Sequence, residues 1–183
     1  MFEKIFSGNL VKHLENNAKE FPSETAIISD SKPNLKKSFG ELHKDVICCS
    51  SYFKKRGVQK KDRTLLMVRP GYELIVCCFA LFYIGAIPII IDPGMGIKSL
   101  LKCIRKSNAT NLIGIGIAVW MSSFFKGSFK ALQRKVLVNK DFLKIIATLH
   151  YTTSRLTTPP CITHHTWTCH TPHKHPKLSV NPP

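Results

Sequence analysis

The chain has 183 residues, 27 Lys and Arg against 11 Asp and Glu, and 44% hydrophobic residues. That length suits one domain with a real core, and the apolar content excludes a wholly disordered protein. Seven cysteines are too few for a disulfide-built miniprotein, and there is no collagen period, heptad run or acidic tail.

The opening stretch, MFEKIFSGNLVKHLENN, lacks the apolar core of a signal peptide and contains Glu3 and Glu15. Asn9–Glu20 reads as an amphipathic helix with Leu10, Val11, Leu14 and Ala18 on one face, stopped by Phe21-Pro22. Thr25–Ser29 is a short strand and Ser31–Lys37 a polar loop around Pro33. Gly40–Arg56 is a helix with Leu42, Val46, Cys49 and Phe53 on one stripe and Gly57 as its stop. Thr64–Val68 is a strand. Leu74–Ile91 then runs 18 residues without a charge, the lower length for a membrane span. Gly85 and Pro88 interrupt it, and Asp92-Pro93-Gly94 ends it. A helix over Gly71–Ile84, buried on most sides, a tight turn, and a buried β-branched strand over Ile87–Ile91 explain those break points better. Next come a helix over Ile97–Ser107 with Leu100, Leu101 and Ile104 inward, a strand over Asn111–Ile115, a helix over Ala118–Phe125 and a strand over Val136–Val138.

The strand centres fall near Leu66, Ile89, Ile113 and Leu137, at spacings of 23, 24 and 24 residues. A strand, a helix and two connections occupy about that length. The spacing predicts an α/β fold: a parallel sheet with flanking helices, joined by right-handed crossovers. The strands are apolar throughout rather than alternating, as helices on both faces require.

Of the net charge of +16, +13 lies in residues 1–150. Such a field favours anionic partners, although a solvated basic surface is the plainer reading. No basic run is interleaved with aromatics, so no specific nucleic acid is expected. Cys48-Cys49 and Cys77-Cys78 read as buried free thiols in a reducing, cytoplasmic setting. Gly94-Met95-Gly96 and Gly114-Ile115-Gly116 each sit between a strand and a helix, where backbone N–H groups can cradle phosphate. Neither completes a dinucleotide fingerprint, and a tight turn explains both. Walker, G-x-S-x-G and H-E-x-x-H motifs are absent.

A seam divides the chain. Residues 151–183 contain no acid and no Gly, yet hold 8 of the 12 Thr, 6 of the 11 Pro and 5 of the 8 His. His164, His165, His170, His173 and His175, with Cys161 and Cys169, lack the paired spacing of a zinc site, so no metal ligand is assigned. Residues 1–150 are read as the globular part and 151–183 as a disordered tail.

Several stretches of the body carry a family likeness. Asn9–Ile28, Ser38-Phe39-Gly40-Glu41-Leu42, Val58–Arg63 and Gly85-Ala86-Ile87-Pro88 through Asp92-Pro93 resemble the N-terminal part of the AMP-dependent synthetase and acyl-CoA ligase superfamily. In the turn before Arg63, Lys61 stands where that family usually has Gly. The string MVRPGYELIVCCFALFYIGAIPIIIDPGMG is most similar to the branch that handles long-chain acyl groups as acyl-CoA or β-lactone. The resemblance implies ATP and Mg as cofactors and a fatty acid as substrate in intact relatives. A carboxylate attacks the ATP α-phosphate to give acyl-AMP and pyrophosphate, and a second nucleophile then displaces AMP. The family's phosphate loop begins aromatic-Thr-Ser/Thr-Gly and ends Pro-Lys-Gly. Here Tyr151-Thr152-Thr153 resembles its start, making Thr152 and Thr153 the cofactor-binding candidates, but Ser154-Arg155 follows and the likeness stops near residue 155.

These readings imply a truncated ligase with no catalytic residues and no cofactor of its own, its tail read out of frame. With its fold incomplete, aggregation or chaperone capture is expected. The competing reading is a small basic protein that binds anionic membrane or nucleic acid, with steep salt dependence. A third is membrane anchoring through Leu74–Ile91.

Overall fold

A computed structural model describes residues 10–29, 35–139 and 141–143, together with Ile146 and Thr148. Helix α1 (Leu10–Glu20) buries Val11 and Leu14, while Leu10 lies exposed, so its inward face is narrower than the sequence suggests. Strand β1 (Thr25–Ser29) pairs antiparallel with β2 (Leu35–Ser38), Ile27 opposite Lys37 and Ser29 opposite Leu35. The polar loop expected over Ser31–Lys37 is corrected at Leu35–Lys37, which lie in β2. Leu35 packs with Ala26 and Ile27 against the main core, and the ladder to β1 satisfies the backbone. The Lys37 ammonium reaches Glu41 Oε1 at 3.0 Å.

Helix α2 (Phe39–Lys55) starts at a capping box. The Glu41 N–H donates to Ser38 Oγ at 3.2 Å, and the Ser38 N–H donates to Glu41 Oε2 at 3.0 Å. Its predicted stripe of Leu42, Val46, Cys49 and Phe53 is buried. Helix α3 (Tyr72–Ile84) ends at Gly85, whose left-handed φ of +79° reverses the chain into β4 (Ile87–Ile90). The uncharged run is therefore helix, turn and strand, and among the described residues no helix is long and apolar enough to cross a membrane.

Strands β3 (Arg63–Met67), β4, β5 (Asn111–Gly114) and β6 (Arg134–Leu137) form one parallel sheet in the order β4-β3-β5-β6. Helices α4 (Ile97–Ser107) and α5 (Gly116–Phe124) connect its later strands. The register explains the two cores. Leu65 aligns with Leu112 and Ile89, and Leu66 aligns with Ile113. Neighbouring residues on a strand point to opposite faces. Leu66, Ile113 and Val136 pack with Val46, Phe53, Val76 and Leu81 of α2 and α3. Leu65 and Leu112 pack with Leu100 and Ile104 of α4, with Val119 of α5 against them. Fully burying a side chain such as Leu66 or Phe53 contributes about 1.5–3 kcal/mol. The predicted α/β fold with helices on both faces is the fold observed. One detail differs: β4 is an edge strand with Ile87 and Ile90 exposed, not a buried one, because among the described strands only β3 pairs with it.

Candidate functional site

Ligands of parallel α/β sheets gather outside the carboxyl ends of the strands. Here that edge is built from the turns following β3, β4, β5 and β6. The Ile115 N–H donates to Met67 O at 3.0 Å and the Val138 N–H to Gly114 O at 2.8 Å, which locks the β3, β5 and β6 ends together.

The two glycine turns named from sequence both lie on this edge, and neither fits a phosphate. After β4, Pro93–Met95 forms a single 3₁₀ turn. Asp92 Oδ1 accepts from the Gly94 N–H at 2.8 Å, so a carboxylate already holds that donor and repels an incoming anion. After β5, the reason for glycine is steric. A Cβ on Gly114 would lie 3.0 Å from Ala118 Cβ and 3.1 Å from Met67 O. Its missing side chain lets α5 approach the sheet. In each turn the glycine serves the passage from strand to following helix.

Tyr72 opens α3 beside the same edge. Its hydroxyl donates to Asp45 Oδ2 at 2.7 Å, and the Lys37 ammonium lies 5.7 Å from its ring centroid. Burial, reinforced by Asp45, pushes the phenol well up from its ordinary range, so it remains a neutral donor. Behind it, Cys49 and Cys77 are fully buried free thiols. Burial raises the Cys49 thiol, with Cys77 adding to the effect, and burial likewise raises Cys48 and Cys78. Protonated thiols of this kind are poor nucleophiles and poor ligands. Cys78 is only half-buried, unlike the other three.

The opposite end of the sheet carries a polar cluster that the sequence reading did not find. Asn111, fully buried, donates through Nδ2 to Asp62 Oδ2 at 3.0 Å and to Thr64 Oγ1 at 3.3 Å. Arg134 donates to Asn111 Oδ1 at 3.3 Å and lies 3.7 Å from Asp62 Oδ2. Asp62 also accepts from the Gln59 N–H at 2.9 Å, closing the turn before β3. Every polar atom named here has a partner, which marks a structural network rather than a reactive one. A cavity of about 300 Å³ lies beneath the α4–β5 connection, lined by Leu65, Ile104, Ala109, Phe129 and Leu132 with Arg105 at its side. It is remote from the carboxyl edge and presents no acid–base pair.

Among the described residues, no group of three His, Cys, Asp or Glu is placed to hold a metal ion. Thr152 and Thr153, and the tail residues His164, His165, His170, His173, His175, Cys161 and Cys169, lie outside the described residues.

Comparison with known proteins draws these features together. The profile of the family described as AMP-binding enzyme matches residues 14–166, continuing past Arg155. Olefin β-lactone synthetases of Stenotrophomonas maltophilia and Xanthomonas campestris are 39% and 37% identical to this chain over 62 residues. That match covers 34% of this chain and 11% of each relative. A long-chain-fatty-acid-CoA ligase of Archaeoglobus fulgidus superposes with a TM-score of 0.64 at 21% identity, covering 77% of this chain and 30% of that one. A fatty acyl CoA synthetase of Mycobacterium tuberculosis gives 0.65 at 14% identity, covering 76% and 28%. The chain thus spans about a tenth of the curated relatives and under a third of these two solved chains. The parallel sheet, its helix-covered faces and the match over most of its length place this chain in the AMP-binding enzyme family.

Proposed function

We propose that this chain is scaffold from the N-terminal part of an acyl-adenylating ligase, and that by itself it forms no acyl-adenylate. Membership of the AMP-binding family carries the first half. The second half rests on glycine: none follows Gly127 anywhere in the chain. A phosphate loop needs glycine so that backbone N–H groups can close around the phosphates, and Thr152-Thr153-Ser154-Arg155 provides hydroxyls without that freedom. Thr152 and Thr153 are then the vestigial start of the loop. A long-chain carboxylic acid is the substrate class favoured by the fatty acyl ligase and β-lactone synthetase relatives, with ATP and Mg as the cofactors of the intact relatives.

The test is to incubate the purified chain with ATP, Mg and a long-chain fatty acid and to measure acyl-AMP and pyrophosphate. The expected result is no product above the protein-free control; acyl-AMP formation would overturn the reading. Reading the coding DNA through codons 145–160 tests the origin of the tail. Another frame that continues with a Gly-rich loop and Pro-Lys-Gly supports an out-of-frame tail, and its absence refutes it.

A further inference from the structure

The two faces of the sheet differ sharply in charge. Helices α1 to α3 carry Glu15, Glu20, Glu41, Asp45 and Glu73 among their basic residues. Residues 93–140, which supply α4, α5 and β6, contain nine Lys and Arg and no Asp or Glu. Lys98, Lys102, Arg105 and Lys106 of α4 are exposed, as are Lys126, Lys130 and Lys135 around α5. The Lys135 ammonium lies 2.9 Å from Ser123 Oγ, which fixes it beside the outer face of α5.

The same face of the sheet carries an apolar stripe on α5. Ile117, Trp120 and Phe124 follow one another at helical spacing on the outer side of α5 and are 69%, 63% and 70% exposed. The Trp120 and Phe124 rings stack at 5.4 Å, and Leu137, 52% exposed, lies 4.0 Å from where a Gly116 Cβ would stand. The inner side of the helix, at Ala118 and Ser122, already serves the fold. An exposed apolar stripe on a strongly charged face marks a contact surface.

Charge decides what covers it. Residues 151–183 carry three basic residues and no acid, so like charge opposes their docking here. A second copy presenting the same face meets the same repulsion. An anionic surface is complementary. The aliphatic Ile117 and Leu137 give hydrocarbon contacts that stacked bases would not use, and a Trp with flanking lysines suits the headgroup boundary of a bilayer. We propose that the outer face of α5, with the lysines around it, docks this chain on anionic phospholipid membranes. The aromatic pair sits at the acyl–headgroup boundary and Lys126, Lys130 and Lys135 meet lipid phosphates.

The test uses the full chain and vesicles of phosphatidylcholine with about one-third phosphatidylglycerol, against pure phosphatidylcholine, at low and high salt. Strong, salt-sensitive partitioning onto the anionic vesicles alone is expected. Reversing Lys126, Lys130 and Lys135 to Glu should reduce it by at least about a hundredfold. Reversing Lys12, Lys19 and Lys44, exposed on α1 and α2, changes net charge equally and should reduce it far less. In a Trp167→Phe background, brominated lipid should quench Trp120, and Trp120→Ala with Phe124→Ala should weaken binding, with circular dichroism unchanged for every variant. Equal losses from the two charge reversals, no quenching of Trp120, self-association without lipid, or tighter binding to a mixed-sequence oligonucleotide than to vesicles would each overturn the proposal.

Discussion

Lys61 offers a sharp test of how backbone conformation weighs on this fold. Its φ is +68°, in the left-handed region, and its side chain is exposed. Its N–H donates to Gly85 O at 2.8 Å, so the turn before β3 is fastened to the end of α3 and cannot relax. A residue with a Cβ is destabilised there by about 1–2 kcal/mol. Glycine escapes that penalty but loses about 0.5–1 kcal/mol through its greater freedom in the unfolded chain. Lys61→Gly should therefore stabilise the protein by about 0.5–1 kcal/mol, because the hydrogen bond is a backbone one and survives the change. For a domain of this size that is a rise in Tm of roughly 1–4 °C. Urea unfolding followed by far-UV circular dichroism measures it, with Lys61→Ala as control. Alanine removes the charge and keeps the Cβ, so its stability should stay close to that of the parent. A neutral or destabilising Lys61→Gly, or an equal gain from Lys61→Ala, would show that charge or the unfolded state governs the site rather than backbone strain.

Three further perturbations separate other contributions. Ser38→Ala removes the acceptor for the Glu41 N–H and should cost about 1 kcal/mol in urea unfolding; no loss would mean that solvent caps α2 equally well. Asn111→Ala leaves Asp62 and Arg134 without their shared partner and should cost about 1–3 kcal/mol, against a near-neutral change for the exposed Asn139→Ala; equal effects would contradict the network. Among the described residues His43 Nε2 is buried without a hydrogen-bond partner, and burial lowers its pKa from the ordinary 6.5, partly offset by Glu15 at 3.9 Å. The unfolded chain then binds this proton at higher pH than the folded one, so stability is full above about pH 6.5 and falls as pH drops towards the folded value. His43→Gln should flatten that decline in Tm, and an unchanged slope would assign it to other groups.

Much of the fold was legible because its signals are local. The stripe of α2, the glycine after α3 and the even spacing of β3 to β6 each lie within a short window of chain. Strand β2 was not legible: Leu35-Lys36-Lys37-Ser38 has the polarity of a loop, and only its pairing with β1 and the packing of Leu35 make it a strand. The site was less legible for the same reason. The glycine turns look alike in sequence, yet one is occupied by the carboxylate of Asp92 and the other is filled by Ala118. The Asp62–Asn111–Arg134 network joins residues up to 72 positions apart, which only the strand register brings together. The outward stripe on α5 was present as an apolar run, but its exposure could not be told from burial until the sheet fixed which side faced inward.

The strand order has a consequence for how the protein is made. Strand β3 leaves the ribosome before its sheet partners and ends up in the interior of the sheet. Strand β4 is then added on one side of it, β5 on the other, and β6 outside β5. Among the described strands, each arriving one meets a free edge, and none must be inserted between two already paired. Translation can therefore build this sheet outward from a seed, with each helix closing over its strand before the following strand emerges.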